Sequence, residues 1–581
     1  MPANRASAPG VTDAITHEVL TGKLLATVDE MAIVLARASM SPVVYEVLDF
    51  ACGLCDADGQ LIAQTNGITI FTGTFSRQVG FIRERFGDAM APGDTFLTND
   101  PFEGGTHACD FAVVRPVFAD GVIIAYAIAV AHLLDVGGAI AGSLPPDAAS
   151  VFQEGLRLSG LRLTRGDQLL EDIVRILVEN VRLPLLVMGD VNAELAAVRI
   201  AERRLLEAAA KYGTAALQAT FCRLLATSEA QARTAIAALP DGDYHATDLI
   251  DGDGASDEPI HVEVTVRIRG SEIEADFTGS SAARAAPINC SRGGLVSSVK
   301  TVMKALVAPH ESSNEGWFRP LTVTAPLDTV FTAEKPSPTG WYYEAAAQAS
   351  ELVWKALAPI VPERFSAGSY VSLCATYITG IGPDGPFVHI EPQDGGWGAT
   401  RDRDGASGLI AITDGDTYNY SIELLEAKFP LLVRRYDYNI AAGVGVGRHR
   451  GGFGLVREYE IAADDAVLYA SFGRNATRPW GVDGGSAGSL NGIDVIRGET
   501  RWHLTRPPRF ALQRGDRVVI ATGGGGGWGD PLARDPDAVA RDVRDGLLTA
   551  TEAAEHYGVV LDPLSLVINV AATAERRRNP R

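Results

Sequence analysis

The spacing of apolar residues predicts that the chain begins with a long helix. Between residues 11 and 38 apolar side chains recur every three or four positions, as on one face of an amphipathic helix. These positions are Ile15, Val19, Leu20, Leu24, Val28, Met31, Ala32 and Leu35. Helical spacing returns at residues 73–87 and nearly throughout 168–237, where turn-forming residues are scarce. The N-terminal part is therefore expected to be rich in helix.

Two strand hairpins are predicted within this helical part. "DFACGLCDADGQLIAQ" is typical of strand, turn and strand, and "DFAVVRPVF" and "VIIAYAIAVAHLL" are two strands joined by an "ADG" turn. Cys52 and Cys55 then lie on one strand, where residues three apart point to opposite faces. A zinc or redox role for this Cys-x-x-Cys pair is therefore disfavoured.

The pattern changes near residue 238, where "LPDGDYHATDLIDGDGASDEP" is rich in Gly and Asp. Strand-like alternation and many glycines then dominate, with helices expected at 293–308 and 341–357. We predict a mixed α/β (α+β) fold, with a helix-rich N-terminal part that contains strand hairpins and a β-rich, Gly-rich C-terminal part. The predicted domains are 1–237, 238–530, a helical segment at 531–570 and a disordered tail at 571–581.

Length, net charge and cysteine content narrow the classes of protein to which this chain can belong. The 581 residues are too many for one compact core. A net charge of -21 argues against a nucleic-acid binder, which presents a basic face. No apolar run is long enough to cross a membrane, and no signal peptide is evident. The six irregularly spaced cysteines suggest reduced thiols, so we expect a cytoplasmic protein.

The second hairpin brings candidate metal ligands together. His107 and Asp110 precede its first strand, and His132 ends its second. Because a hairpin places the start of one strand beside the end of the other, the three side chains are expected to meet at one point. Histidine nitrogen and carboxylate oxygen suit Zn, Mn or Fe. A third His-x-x-Asp motif, at His245 and Asp248, lies in an acidic segment with no other candidate ligand to converge with. We therefore interpret it as a chance match.

A structural interpretation of the same residues stays open at this point. A histidine at a strand end is often only a hydrogen-bonded rim residue. An aspartate after a turn is often a cap. Spacing and topology alone do not choose between metal binding and these roles.

Longer motifs carry a resemblance to a known family. "TNDPFEGGTHACDFAVVRPVF", "AHLLDVGGAIAGSLPP", "EPQDGGWGATRDRDG" and "RHRGGFGLVREYE" closely resemble the hydantoinase B family. That family comprises the B-type subunits and domains of ATP-dependent 5-oxoprolinases, N-methylhydantoinases and caprolactamase. Acetone and acetophenone carboxylases are its more distant relatives. The likeness covers nearly the whole chain.

The resemblance implies a fuller metal site. It adds Glu46 to His107, Asp110 and His132, which gives two histidines and two carboxylates for a divalent metal, Zn first and Mn or Fe next. Asp49 is a nearby rival for the place of Glu46. Asp135 is expected to act as a general base, or to orient a ligating histidine.

The resemblance also implies a partner. The chain lacks the GxxxxGK[ST] motif, and the run Gly523 to Gly527 has no lysine after it to reach a phosphate. ATP and Mg are therefore expected in a separate hydantoinase A-type subunit, within an α2β2 heterotetramer or a larger complex. We expect the glycine run to form a tight strand-to-turn connection rather than a phosphate-binding site. Asn289, Asn314 and Arg319 are expected either to line a substrate pocket or to shape turns.

We therefore expect the B-type subunit of an ATP-dependent cyclic amide hydrolase that opens a lactam, 5-oxoproline or hydantoin ring. Metal-activated water would hydrolyse an intermediate phosphorylated by the A-type partner. The alternatives are a component of an ATP-dependent ketone carboxylase, a non-catalytic scaffold in the complex and, as the poorest option, a free-standing metallohydrolase.

Overall fold

The computed structural model describes residues 13–383, 385–507 and 509–579. These residues form two compact units, each built from three chain segments. The first contains the described residues up to His245, together with Val262–Ser350 and Ile412–Tyr420. The second contains Ala246–His261, Glu351–Ala411 and the chain from Ser421 onward. The chain first leaves the first unit after His245, near the predicted boundary at residue 238, but it returns to that unit twice, so the predicted domain 238–530 does not form one unit.

Nine of the described α-helices begin in the first unit. They are α1 (Ala14–Ala38), α2 (Pro42–Tyr45), α3 (Thr69–Thr72), α4 (Phe75–Phe86), α5 (Glu171–Asn180), α6 (Pro184–Tyr212), α7 (Thr214–Ala237), α8 (Arg292–Val307) and α9 (Tyr342–Leu357). The long predicted helices are confirmed. The N-cap of α1 is Asp13, whose carboxylate accepts the N–H of Thr16.

The first eleven described strands lie between residues 50 and 324, and all begin in the first unit except the one that starts at Ile260. They are β1 (Phe50–Asp56), β2 (Leu61–Gln64), β3 (Thr95–Thr98), β4 (Asp110–Ala119), β5 (Val122–His132), β6 (Leu161–Arg165), β7 (Gln168–Leu169), β8 (Gly242–Ile250), β9 (Ile260–Arg269), β10 (Glu272–Asp276) and β11 (Leu321–Thr324). Seven form an antiparallel sheet in the order β2-β1-β5-β4-β3-β6-β7, and four form a second sheet in the order β11-β10-β9-β8.

The β4–β5 hairpin lies at the centre of the seven-stranded sheet. Its turn is Asp120–Gly121, and both residues have positive φ, as tight hairpin turns require. Eight successive residues at the start of β4 and nine at the end of β5 are buried. Such continuous runs of buried, mostly apolar residues fit strands that are covered on both faces. Helix α6 packs on β4 and β5, and α1 packs on α6.

The second unit is β-rich, as predicted. Its strands are β12 (Ala375–Gly382), β13 (Gly385–Glu391), β14 (Leu431–Tyr438), β15 (Leu455–Ile461), β16 (Asp465–Ser471), β17 (Gly492–Arg497), β18 (Thr500–Leu504), β19 (Phe510–Leu512) and β20 (Arg517–Ala521). They form sheets of order β13-β12-β16-β19 and β14-β15-β20-β17-β18. Its helices are α10 (Ile422–Lys428), α11 (Pro536–Arg544), α12 (Ala550–Tyr557) and α13 (Val570–Arg578).

The run Gly523 to Gly527 is packed against neighbouring backbone in the second unit. All five N–H groups donate to protein acceptors; that of Gly526, for example, donates to the carbonyl of Gly368 at 2.8 Å. A Cβ at Gly525 or Gly527 would lie 2.1–2.2 Å from a backbone carbonyl oxygen. Because no donor is left for a phosphate, the run is a tight connection.

The expectation of a disordered tail at 571–581 is wrong for the residues that the structure describes, while residues 580–581 lie outside them. Helix α13 is capped by Asn569, whose side chain accepts the N–H of Ala572. Arg577 donates to the carbonyls of Tyr557 and Arg534. The basic composition suggested a free tail, but these arginines satisfy backbone acceptors of the preceding helical segment.

Candidate metal centre

The β4–β5 register brings the predicted ligands together. Asp110 and His132 are directly paired across the two strands. The N–H of Leu133 donates to the carbonyl of Cys109 at 2.8 Å and extends the pairing past the strand end. His107 lies in the turn before β4, where its carbonyl accepts the N–H of Asp110. The topological prediction is confirmed in its geometry: His107 and Asp110, before and at the start of β4, share one end of the hairpin with His132 at the end of β5.

Three ligand-type atoms converge on one point. His107 Nε2 lies 2.9 Å from Asp110 Oδ1 and 3.2 Å from His132 Nδ1, and His132 Nδ1 lies 3.0 Å from Asp110 Oδ1. All three residues are buried. Neighbouring ligands about 2.1 Å from one metal ion lie about 3.0 Å apart at right angles and about 3.4 Å apart in a tetrahedron. The observed separations match a shared cation.

The hydrogen-bonding roles point to the same conclusion. His107 Nδ1 lies 2.8 Å from the carbonyl oxygen of Gly340, which can only accept, so Nδ1 carries a proton. In the neutral ring, Nε2 then presents a lone pair to the oxygen of Asp110. Lone pairs facing one another inside a protein are unfavourable unless a proton or a cation lies between them. The residues therefore fit a divalent metal ion.

The surroundings orient Asp110. Its Oδ2 accepts a hydrogen bond from the hydroxyl of Thr106 and lies 3.4 Å from Tyr342 Oη. Burial alone raises the pKa of this carboxyl, but the neighbouring histidines outweigh it and hold the pKa well below its usual range. Asp110 is therefore an anion in the folded protein, as a metal ligand must be.

Two further carboxylates are electrostatic neighbours of the cluster. Asp49 accepts the N–H of His132 through its backbone carbonyl at 3.0 Å. Burial raises the pKa of its side chain to about 8; His132 lowers this pKa, and Asp414 and Asp110 raise it. Burial also raises the pKa of Asp414 to about 6, against a hydrogen bond from Thr417. The site thus holds two acidic groups, Asp49 and Asp414, in addition to the three convergent ligands.

Glu46 lies at the C-terminal end of the short helix α2 and is partly exposed. Its backbone N–H donates to the carbonyl of Pro42, and no side-chain hydrogen bond ties it to the histidines among the described residues. The structure thus gives Asp49 a direct link to the cluster that it does not give Glu46. The assignment of Glu46 as fourth ligand stays a prediction.

Cys109 also lies near the histidines, with its sulfur within 4.8 Å of their ring nitrogens. The thiol faces the carbonyl oxygens of Gly142 and Ser143 at 4.0 Å. Burial raises the pKa of this thiol well above its usual value, which favours the neutral form. Asp110 is both closer and anionic, so it is the better third ligand.

Asp135 is buried and fully hydrogen-bonded. Its carboxylate accepts the N–H groups of Gly137, Gly142 and Arg182 and a guanidinium N–H of Arg182 at 2.9–3.1 Å. Four donors on one carboxylate are typical of a group that holds a loop in place. Its predicted role as general base stays a prediction, and Asp49 and Asp414 are better placed to exchange a proton at the cluster.

The three predicted substrate residues make structural contacts. Asn289 is buried, and its amide donates to the carbonyls of Arg284, Ala286 and Pro338. Asn314 caps a short 3-10 turn and bonds Ser228. Arg319 pairs with Glu229 and Gln60. These contacts fit the turn-shaping alternative, and none of the three bonds a residue of the cluster.

Sequence reasoning missed Tyr342, Asp414 and Glu154. Glu154 accepts the N–H groups of Thr339 and Gly340 at 3.0 and 2.6 Å, and Gly340 in turn accepts the Nδ1 proton of His107. These residues come from segments far from the hairpin in sequence. Only the aromatic pair Tyr342–Tyr343 and the acidic "TDGD" turn, which holds Asp414, stand out locally.

The His245–Asp248 copy of the motif forms no such site. His245 is exposed, and its ring lies 3.3 Å from the hydroxyl of Thr265. Asp248 forms an ion pair with Arg474 at 2.8 Å. The two residues lie three apart on β8, where their side chains point to opposite faces.

No described helix is both long and apolar enough to span a bilayer.

Comparison with known proteins agrees with the fold and the motifs. The model of the family Hydantoinase B/oxoprolinase matches residues 13–531. A protein of Pseudomonas sp. (strain NS671), whose name proposes the B-type component of a D-/L-hydantoinase, is 31% identical over 568 residues, covering 94% of this chain and 95% of its own. The beta chain of the caprolactamase of Pseudomonas jessenii is 30% identical and is covered over 99% of its length, against 97% of this chain. The 5-oxoprolinase 1 of Arabidopsis thaliana is 26% identical over 90% of this chain, which spans 42% of that protein.

Solved structures show the same architecture. A chain of the ATP-dependent caprolactamase from Pseudomonas jessenii superposes with a TM-score of 0.90 at 28% identity, covering 98% of this chain and 100% of that chain. A chain of nucleotide-free acetone carboxylase has a TM-score of 0.90 at 22% identity, covering 97% of this chain and 82% of that chain, and supports the fold alone. The chain belongs to the hydantoinase B/oxoprolinase family.

Proposed function

We propose that this chain is the B-type subunit of an ATP-dependent cyclic amide hydrolase, acting on a lactam, 5-oxoproline or hydantoin ring. The observation that carries the proposal is the convergence of His107, Asp110 and His132 in a member of this family. Relatives that this chain matches over nearly their full length include one component of a caprolactamase. Hydrolysis of an activated amide requires an activated water, and this cluster is suited to provide one.

The His107, Asp110 and His132 side chains would hold a divalent cation, Zn first and Mn or Fe next, with Glu46 or Asp49 as a fourth ligand. Such a cation supplies Lewis acidity, which lowers the pKa of water towards neutrality. The Gly340 carbonyl keeps the proton of His107 on Nδ1, so that Nε2 stays free to ligate. Thr106 and Tyr342 fix Asp110 from its other oxygen.

The proton of the attacking water needs an acceptor. Asp414, whose pKa is about 6, adjoins the cluster and can take that proton as water adds to the activated ring carbon, whereas Asp49, whose pKa is about 8, holds a proton near neutral pH and can donate it in a later step. The C–N bond of the resulting adduct would then break, with a proton passing to the leaving nitrogen, so that the ring opens to an acyl phosphate, and a second water would hydrolyse this acyl phosphate to release phosphate. Burial of the three central residues excludes bulk water, which protects a phosphorylated intermediate from loss.

A partner would carry out the first half of the reaction. The names of the caprolactamase relative and of the relative from Pseudomonas sp. each describe one component of a multi-subunit protein, the beta and the B component. We propose an A-type subunit that binds ATP and Mg and phosphorylates the amide oxygen. An α2β2 heterotetramer or larger complex would keep the intermediate enclosed between the two kinds of subunit.

Reconstitution tests this function. The chain is purified with the A-type subunit that accompanies it and is assayed with 5-oxoproline, hydantoin and caprolactam, with and without ATP. We expect ring opening of at least one compound that requires ATP and both subunits and is abolished by His132→Ala. ATP-dependent incorporation of bicarbonate carbon into a ketone would instead establish the carboxylase alternative. Unchanged turnover in His132→Ala, with the complex intact, would establish the scaffold alternative.

A further inference from the structure

A cavity in the first unit lies outside the metal centre. Its volume is about 770 Å³, and its walls come from the start of α8, from Pro101 and Phe102, and from the segment 327–335. Small-molecule sites commonly have this volume. Its lining residues do not include His107, Asp110 or His132. Phe102, Val296 and Leu327 give it an apolar wall.

Four basic side chains face this cavity: Arg77, Arg292, Lys300 and Lys335. Two of them are neutralised by carboxylates. Arg77 lies 3.1 Å from Glu84 and 3.4 Å from Glu103, and Lys300 lies 2.8 Å from Glu315. These two cations already have anionic partners and need no ligand.

The other two cations lack such partners. Arg292 is exposed, and among the described residues its guanidinium donates only to the carbonyl of Val323, at 3.4 Å. The Lys335 ammonium lies 5.4 Å from the centre of the Phe152 ring. Within the part of the chain that the structure describes, no carboxylate forms an ion pair with either. The cavity lining also includes the carboxylates Glu315 and Glu334, so four cations face two anions and the lining is positive in a chain of net charge -21.

The start of α8 forms part of the cavity wall. Gly293, in the first turn of α8, lines the cavity, and the first N–H groups of a helix have no intrahelical acceptor. A Cβ at Gly293 would lie 2.8 Å from the carbonyl oxygen of Gly104, so glycine lets α8 start against the loop that leads to His107. The hydroxyl of Ser291 donates to the carbonyl of Gly105 at 2.8 Å and fixes the same contact.

We propose that this cavity binds an organic oxyanion, a molecule with a carboxylate or phosphate group and an apolar body. Arg292 and Lys335 would pair with the anionic group, since charged partners satisfy them better than a carbonyl or a ring face. Phe102, Val296 and Leu327 would contact the apolar part. The proposal rests on this cavity alone and holds whether or not the chain is a cyclic amide hydrolase.

The test is calorimetric titration of the full-length protein at low ionic strength. The protein is measured metal-loaded and after metal removal followed by dialysis, with inorganic phosphate and with hexanoate as probes. The variants are Arg292→Ala and Lys335→Ala, both at exposed positions. Arg175→Ala, an exposed arginine of α5 outside the cavity, is the matched control.

We expect saturable binding of at least one probe by the parent and by Arg175→Ala, with affinity at least about tenfold weaker in Arg292→Ala and in Lys335→Ala. Binding of phosphate alone would identify a phosphate ligand, and binding of hexanoate alone a carboxylate ligand. The proposal is overturned if neither probe binds saturably or if both cavity variants bind like the parent. It is also overturned if binding disappears with the metal, because the anion would then occupy the metal centre.

Discussion

Glu154 and Gly340 are joined by a hydrogen bond of 2.6 Å, from the glycine N–H to the buried glutamate carboxylate. The carbonyl of the same glycine accepts the Nδ1 proton of His107. One side chain therefore fixes the glycine whose carbonyl fixes the orientation and tautomer of a proposed ligand. Partners of this kind tune metal sites without touching the metal.

Glu154→Gln should therefore weaken metal binding. An amide can accept only one of the two N–H groups that the carboxylate accepts. Gly340, whose carbonyl accepts the proton of His107, therefore loses its fixed position. We expect a metal affinity about tenfold or more below that of the parent, measured by competition with a chelator of known affinity.

The control is Glu351→Gln. Glu351 is also a buried glutamate whose pKa is raised to about 7 by burial, and it accepts the N–H groups of Ser369 and Trp480 in the second unit. If both variants lose metal affinity equally, the effect is one of general stability and the positioning role of Glu154 is excluded.

Stability should depend on pH through Glu154. Burial raises the pKa of this carboxyl to about 7, against the hydrogen bonds from Thr339 and Gly340. The folded state thus holds a proton that the unfolded chain releases near pH 4.5, so this contribution to stability is present below pH 4.5 and is lost as the pH rises through 7. A shift of this size corresponds to roughly 3 kcal/mol.

Because other buried carboxylates titrate as well, the measured quantity is the difference in Tm between the parent and Glu154→Gln. We expect the parent's advantage to shrink between pH 5 and pH 8 in thermal unfolding followed by circular dichroism. A difference in Tm that is constant or grows over this range would show that Glu154 is ionised throughout.

Glu46 and Asp49 compete for the role of fourth ligand, and paired variants separate them. Glu46 is the ligand that the family resemblance implies, whereas Asp49 is linked to His132 through its backbone and has a carboxyl whose pKa burial raises to about 8, which suits it to exchange a proton. We expect Glu46→Gln to lower metal affinity, and Asp49→Asn to keep the metal while lowering turnover. The opposite pattern, in metal content and steady-state rates measured on the same preparations, would make Asp49 the ligand.

The thiols should be almost entirely unreactive in the folded protein. Five of the six cysteines are buried, and Cys222 is exposed. Burial raises the pKa of the Cys52 and Cys55 thiols, which are on β1, and so disfavours the reactive thiolate. We expect about one thiol per chain to react with a disulfide reagent, and none in Cys222→Ser. Rapid reaction of Cys52 or Cys55 would revive the redox interpretation of their motif.

Reasoning from the local sequence predicts the features of the site that depend on the β4–β5 hairpin. The apolar runs of β4 and β5 and the "ADG" turn establish the register, and the register places Asp110 opposite His132. The same reasoning cannot find Asp414 or Tyr342, because they reach the site through tertiary contacts between segments far apart in sequence. It also misjudged α13, where arginines that suggested a free tail bond to backbone carbonyls.

The most direct test of the metal centre is the metal content of the purified chain, measured by inductively coupled plasma mass spectrometry after growth in unsupplemented medium. The parent is compared with His107→Ala and His132→Ala, and with His245→Ala as a control from the chance copy of the motif. We predict about one Zn, Mn or Fe ion per chain in the parent and in His245→Ala, and almost none in the other two variants, with circular dichroism unchanged. A parent that stays metal-free even when these ions are supplied would contradict the account.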